Sequence, residues 1–288
     1  MTQSEASVPA WVERAWARRG EPHFAEAGGV PLHYLAWRLE HRERPGLLFV
    51  HGYRAHAHYW DAIAPYFADS HRVVAMDLAG MGDSGHRAQY GAYGFAADIA
   101  AVIAHAGLGP AVVVGHSFGG ARALRAALEF PDLIKHVVAV DSICRFADSP
   151  SSKQAPPRRP RLEPYPDYAS ARARYRLAPG QPCDHPYLVD YIARHSLREQ
   201  DGGWLWKFDP LLPPGPHEPD MAEVLRQLRV PVDYVRGEFS TVVRQHEAER
   251  IVACLPRGRG PIVVPQAYHY LMLDQPLALI AVLRVLLA

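Results

Sequence analysis

The chain has 288 residues, which is enough for one large domain or for a core with a modest insertion. Its 31 basic and 30 acidic residues leave a formal net charge of +1. That balance argues against the charged surfaces typical of nucleic-acid and anionic-membrane binding, so we expect a small-molecule substrate, no nucleic acid and no membrane.

The ends of the chain and its cysteines favour a cytoplasmic protein. Residues 1–20 contain no apolar run and predict a short polar helix, not a signal peptide. The apolar tail at 276–288 is too short to cross a bilayer. The cysteines are far apart and odd in number, which is typical of a reducing compartment. They are Cys144, Cys183 and Cys254.

Short apolar runs of strand type recur along the chain, and helix-length segments separate them from the third run onward. Parallel strands joined by helices produce this alternation. We therefore predict an α/β fold with a mainly parallel, doubly wound sheet. The predicted strands are 32–36, 46–50, 72–76, 111–114, 136–140, 232–236 and 261–264.

The character of the chain changes between about 144 and 230. Residues 149–166 are rich in proline, serine and arginine and cannot form a core strand. Helix-like stretches with aromatic residues follow. We predict a helical lid at 144–230, inserted into an α/β core made of 21–143 and 231–288, at the carboxyl edge of the sheet.

The pentapeptide Gly115-His116-Ser117-Phe118-Gly119 lies between the predicted strand at 111–114 and a helix-like run at 120–128. A serine on such a turn has a strained backbone, and small flanking residues let the strand and the helix approach closely. The pattern predicts Ser117 as a nucleophile exposed at the carboxyl edge of the sheet. An ordinary glycine-rich turn is the alternative.

A serine nucleophile needs a base, and the base needs an acid that orients it. His269 follows the last predicted strand and precedes the terminal helix, so it lies on a loop at the same edge. His56, His58 and Asp61 could ligate zinc, but no further ligand continues the pattern and we predict no metal site. Since no nucleotide-binding motif follows the first strand, we also expect no cofactor.

Four segments together resemble the α/β-hydrolase family, and the resemblance covers nearly all of the chain except the insertion. It implies a lidded, cofactor-independent serine hydrolase of the esterase type. Serine at position 117 also argues against the haloalkane dehalogenases and epoxide hydrolases of the family, which use an aspartate there. The four segments are His51-Gly52, the turn Asp77-Leu78-Ala79-Gly80-Met81-Gly82-Asp83-Ser84-Gly85, the pentapeptide at 115–119 and the run His269-Tyr270-Leu271-Met272-Leu273-Asp274-Gln275-Pro276.

The acid departs from the usual family pattern. Most relatives carry an aspartate shortly after the strand that follows the lid, but Ser240 stands at that position here, with Glu238 nearby. Asp141 directly follows the earlier strand at 136–140. This arrangement, with serine in the later loop and aspartate after the earlier strand, resembles that of a subset of the family. We therefore predict Asp141 as the acid, with Glu238 as the alternative.

The resemblance also implies an oxyanion hole of two main-chain N–H groups. Phe118 follows the nucleophile directly, and Tyr53 follows His51-Gly52, with Arg54 as the fallback. Five aromatic residues of the predicted lid could contact an apolar part of the substrate, or could form a small core of the lid itself. They are Tyr187, Tyr191, Trp204, Trp206 and Phe208.

The sequence thus predicts a hydrolase that cleaves a carboxylic ester or a related acyl bond through a Ser-His-Asp acyl-enzyme mechanism. Carbon–carbon bond hydrolysis and lactone hydrolysis use the same three residues and stay open as alternatives. A small-molecule receptor that has the hydrolase fold without turnover is the alternative from another functional class.

Overall fold

The computed structural model describes residues 8–148, 163–213 and 220–288. Its strands are β1 (Glu21–Ala27), β2 (Val30–Trp37), β3 (Gly46–Val50), β4 (Arg72–Met76), β5 (Ala111–His116), β6 (Ile134–Val140), β7 (Leu197–Gln200), β8 (Gly203–Trp206), β9 (Val232–Gly237) and β10 (Gly258–Val264). Its α-helices are α1 (Ala10–Ala17), α2 (Ala92–His105), α3 (Phe118–Glu129), α4 (Tyr168–Arg172), α5 (Pro186–His195), α6 (Met221–Gln227), α7 (Gln245–Ala253), α8 (Leu271–Asp274) and α9 (Pro276–Leu286). Two 3₁₀ turns, Ala57–Trp60 and Ala64–Tyr66, follow β3.

Eight strands form one sheet in the order β1-β2-β4-β3-β5-β6-β9-β10. β1 and β2 are antiparallel to each other and β2 is antiparallel to β4. The other neighbouring pairs of this sheet, formed by β4, β3, β5, β6, β9 and β10, are parallel. The predicted mainly parallel α/β fold is confirmed. β1 is an additional strand, and its polar, largely exposed residues at the edge of the sheet lack the apolar signal of a core strand.

Helices cover both faces of the sheet. Consecutive residues of a strand point to opposite faces, and in β5 Val113 packs with the residues of α2, α3, α6 and α7. Val112 and Val114 pack on the other face with the 3₁₀ turns, α1, α8 and α9. Because both faces of β5 are buried, its sequence is a continuous apolar run.

A tight turn joins β5 to α3 in the middle of the sheet. Ser117 occupies this turn with φ +52° and ψ −117°, the strained backbone predicted for it. A Cβ atom on Gly119 would lie 2.3 Å from the carbonyl oxygen of His51, so only glycine lets α3 approach the end of β3 this closely.

The described part of the inserted region contains a β-hairpin as well as helices. Between β6 and β9 the described residues form α4, α5, α6 and an antiparallel hairpin of β7 and β8. Asp201 and Gly202 connect the two strands and both have positive φ, as in the Asp-Gly turns that favour hairpins. The sequence predicts helix-like structure for this stretch. The Asp201-Gly202 dipeptide is the sequence signal that indicates a hairpin instead.

Helix α6 lies within the predicted lid range but packs against α3 in the main core, through Met221 and Leu225. Residues 149–162 and 214–219 of the predicted lid lie outside the described residues, as do residues 1–7 of the predicted N-terminal helix. Of the helix predicted within residues 1–20, the structure shows α1 at Ala10–Ala17. In the described ranges, every helix falls short of the length and apolarity needed to cross a membrane.

Candidate active site

Ser117 lies at the carboxyl end of β5, between the ends of β3 and β6. Its N–H donates to the carbonyl of Val140 at 2.9 Å, which fixes the turn to β6. Its side chain makes no capping hydrogen bond to α3. Because the Ser117 hydroxyl does not cap α3, it is available for chemistry.

His269 lies on the loop after β10 and contacts the carboxylate of Asp141. Its Nδ1 is 2.7 Å from Asp141 Oδ2, and both side chains are buried. An ionised carboxylate can only accept, so Nδ1 carries the hydrogen. In the neutral ring Nε2 then has a free lone pair, as a general base requires.

Two further donors hold the Asp141 carboxylate. Ser240 Oγ donates to Oδ2 at 2.5 Å, and the N–H of Gly237 donates to Oδ1 at 3.3 Å. These bonds offset the loss of hydration of a fully buried carboxylate. Ser240, which stands where most relatives have the acid, thus contacts the carboxylate that faces His269.

Glu238, the alternative acid, is turned away from this pair. Its side chain is exposed and accepts from the N–H of Gln266 at 2.8 Å. The carboxylate in contact with His269 is therefore that of Asp141.

The loop after β3 lies beside Ser117. A Cβ atom on Gly52 would be 3.5 Å from Ser117 Cβ. In the described part of the chain, the main-chain N–H groups of Tyr53 and Phe118 have no hydrogen-bond partner, whereas that of Arg54 donates to Met81 Sδ at 3.2 Å. Tyr53 and Phe118 therefore offer two free donors close to the serine.

His51 braces this loop. Its Nδ1 donates to the carbonyl of Gly52 at 2.7 Å, and its Nε2 accepts from the N–H of Leu78 at 3.1 Å. Burial lowers the pKa of His51, which keeps the ring neutral in this role.

Asp77 organises the glycine-rich turn. Its carboxylate accepts from the N–H groups of Ala57 at 2.6 Å and Asp83 at 2.8 Å, and from His33 Nδ1 at 2.8 Å. Burial opposes ionisation, but the His33 contact and its charge outweigh it and hold the pKa of Asp77 well below the usual range. Asp77 is thus a structural group tying β2 to two loops.

The histidines considered for a metal have separate partners. His56 Nε2 is 2.8 Å from Ser196 Oγ, and His58 Nδ1 is 2.7 Å from Asp61 Oδ2. The first pair connects the loop after β3 to the end of α5, and the second is local.

The five aromatic residues predicted as substrate contacts fall into separate groups. Tyr187 and Tyr191, four residues apart on α5, line a cavity of about 1370 Å³ between α5 and α1, and the residues around it include neither Ser117 nor His269. Tyr191 stacks on Trp16 with ring centroids 4.3 Å apart. These two tyrosines face the N-terminal helix.

The other three aromatics lie on or next to the hairpin. Trp204 packs edge-on against Tyr168 at 5.1 Å. Trp206 and Phe208 are nearly parallel with centroids 6.4 Å apart, and the Arg54 guanidinium lies 4.8 Å from the Phe208 ring. Phe208 is thus the predicted contact nearest to the loop that carries Tyr53.

Sequence reasoning missed part of the support for His269. His116 donates from Nε2 to the carbonyl of His269 at 2.9 Å. Asp274 accepts from the N–H of Tyr268 at 2.6 Å and from Gln181 Nε2 at 3.0 Å. Gln181 belongs to no local motif, and the resemblance of the run at 269–276 to the family assigns no partner to Asp274.

Residues 45–276 match the family model of the alpha/beta hydrolase fold. The protein is an α/β hydrolase. This hydrolase is 27% identical over 247 residues to the esterase Rv0045c of Mycobacterium tuberculosis, covering 83% of this chain and 82% of that protein. It is 35% identical over 98 residues to the 2-(acetamidomethylene)succinate hydrolase of Mesorhizobium japonicum, covering 34% and 35% of the two chains.

Solved structures have the same fold. A thioesterase domain from the curacin biosynthetic pathway is 25% identical to this hydrolase, with a TM-score of 0.73 over 92% of this chain and 99% of that chain. The crystal structure of the Mycobacterium tuberculosis esterase Rv0045c is 23% identical, with a TM-score of 0.72 over 99% of both chains. The arrangement of sheet and helices is therefore that of the family.

Proposed function

We propose that this hydrolase cleaves a carboxylic ester through an acyl-enzyme on Ser117, with His269 as general base and Asp141 as its acid. The hydrogen bond of 2.7 Å between His269 Nδ1 and the buried Asp141 carboxylate carries the proposal. It fixes the tautomer whose Nε2 can accept a proton, and His269 follows β10 at the sheet edge where Ser117 follows β5 on a strained turn.

The reaction has two halves. His269 Nε2 takes the proton of the Ser117 hydroxyl as Oγ attacks the acyl carbon, and the N–H groups of Tyr53 and Phe118 stabilise the oxyanion. Collapse of the tetrahedral intermediate breaks the ester bond, and protonated His269 gives its proton to the leaving alcohol. Water, deprotonated by His269, then attacks the acyl-enzyme and restores Ser117 with release of the acid.

The ester as the bond cleaved is supported by the relatives. One similar protein is named an esterase, and another, 29% identical over 161 residues, is named a lipase of Mycobacterium tuberculosis. Aromatic side chains at the hairpin, above all Trp206 and Phe208, suit an ester with an apolar portion.

Replacing the nucleophile tests the proposal. Ser117→Ala should lower kcat on p-nitrophenyl esters by roughly four to six orders of magnitude and abolish labelling by a fluorophosphonate probe. The unfolding midpoint should stay close to that of the parent. Ser70→Ala, which changes an exposed serine, is the matched control. Equal turnover in the Ser117 variant would refute the assignment, and a parent that is not labelled would favour the receptor alternative.

A further inference from the structure

One segment of the inserted region is bonded to the loop that carries His269. The hydroxyl of Tyr270 donates to the carbonyl of Ala178 at 2.7 Å, and Cys183 Sγ contacts the carbonyl of Leu273 at 3.4 Å. Residues 178–183, called the strap below, therefore lie along residues 268–274, which comprise the turn with His269 and helix α8 and are called the histidine loop.

Gln181 lies at the centre of the strap and makes two hydrogen bonds. Its Oε1 accepts from the N–H of Tyr270 at 2.8 Å, and its Nε2 donates to Asp274 Oδ2 at 3.0 Å. The same Asp274 oxygen accepts from the N–H of Tyr268 at 2.6 Å. The main-chain N–H groups of the two residues that flank His269 are thus held, that of Tyr270 by Gln181 and that of Tyr268 by a carboxylate that Gln181 contacts.

We infer that Gln181 is a positioning residue for His269, so that turnover requires the strap to be seated on the histidine loop. This inference rests on the proposed function. His116 holds the carbonyl of His269 from the core side, and Gln181 supplies the opposing tie from the insertion. A misplacement of the base by about 1 Å can lower the rate roughly 100-fold, so a tie adjacent to His269 affects catalysis directly.

The side chain at 181 must both accept and donate. A glutamine amide does both at once, because its oxygen faces the Tyr270 N–H while its nitrogen faces the buried Asp274 carboxylate. Glutamate would place two carboxylates together, and methionine would provide neither hydrogen bond. The two substitutions therefore separate the contributions of the bonds.

Gln181→Met is the principal test, since it preserves the length and apolar stem of the side chain. Its kcat should fall about 10- to 100-fold while KM changes less than about threefold, and fluorophosphonate labelling of Ser117 should slow by a similar factor. Gln181→Glu, which retains the acceptor for Tyr270, should fall between the two proteins. Gln200→Met is the control, because the Gln200 side chain is exposed on β7 and donates to its neighbour Asp201.

Hydrogen exchange gives a readout independent of turnover. In Gln181→Met the amides of loop 268–274 should exchange faster than in the parent and in Gln200→Met. A kcat within twofold of the parent, a change in KM alone or unchanged exchange would each overturn the inference. If the parent neither labels nor hydrolyses esters, the proposed function fails, and faster exchange alone would still show that Gln181 orders the loop.

Discussion

Asp141 combines a strained backbone with a fully satisfied side chain. Its φ is +45°, and its carboxylate accepts from His269, Ser240 and Gly237. A non-glycine residue held at positive φ at a site of this kind is often functional. The backbone turn after β6 aims the carboxylate across the edge of the sheet, toward the loop after β10.

Comparing the two candidate acids tests this assignment. Asp141→Asn should lower kcat/KM by about 10²- to 10⁴-fold, because an amide neither fixes the same tautomer of His269 nor stabilises the imidazolium. Glu238→Gln should leave kcat/KM within about twofold, since the exposed Glu238 carboxylate accepts from the N–H of Gln266 and is turned away from His269. A large loss confined to the Glu238 variant would transfer the acid role to that residue.

Sequence and structure agree best where the residue signal is local. The turn at Ser117 and the loop position of His269 follow from short runs of residues next to a strand. The contacts of Ser240 with Asp141 and of Gln181 with Asp274 join positions about 90 to 100 residues apart. Their side chains meet only once the sheet is ordered, so no local pattern contains them.

At the scale of elements, the close contact between β3 and α3 requires a residue without a side chain at position 119. A Cβ on Gly119 would lie 2.3 Å from the carbonyl oxygen of His51 and 2.8 Å from that of Val50. Both neighbours are backbone atoms at the end of a buried strand, so they cannot move aside as a flexible side chain can. Close approach here also sets the distance between Ser117 and the loop of Tyr53.

Gly119→Ala should therefore lower the free energy of unfolding by about 1–3 kcal/mol and reduce kcat, because the forced separation shifts the oxyanion loop. Urea denaturation and ester turnover measure the two effects. Gly91→Ala is the matched control, since a Cβ there meets no atom within 4 Å. Equal stability of both variants would mean that α3 can shift without cost.

The predicted strands and the additional strands β1, β7 and β8 differ in how clearly the sequence indicates them. All seven predicted strands are present because each contains an apolar run, whereas β1 is largely polar and pairs with β2 at the edge of the sheet. The hairpin of β7 and β8 was missed although its Asp201-Gly202 turn is a recognised signal.

For the whole molecule, the pH dependence of stability has contributions of opposite sign. Burial raises the pKa of Asp274 to about 6, above the value of about 3.9 in an unfolded chain. Between these values the folded protein binds the proton more readily, so the stability that Asp274 contributes is lost as pH rises through about 6. The lowered pKa of Asp77 acts the other way, and its contribution is lost only in stronger acid.

Asp274→Asn should isolate the first contribution. The variant retains an acceptor for the N–H of Tyr268 but cannot ionise, so its free energy of unfolding should fall less than that of the parent between pH 4.5 and pH 7.5. Urea denaturation across this range measures the difference. Parallel curves for the two proteins would show that Asp274 does not titrate as proposed.

The proposed triad draws its members from distant parts of the chain. Asp141 and Ser117 follow adjacent strands in the first half, while His269 follows the last strand, 19 residues before Ala288. During synthesis, a chain that has folded as far as β9 would present the nucleophile and the acid without a base. Ester turnover would then appear only when β10 has docked, so activity can serve as a reporter of completed folding.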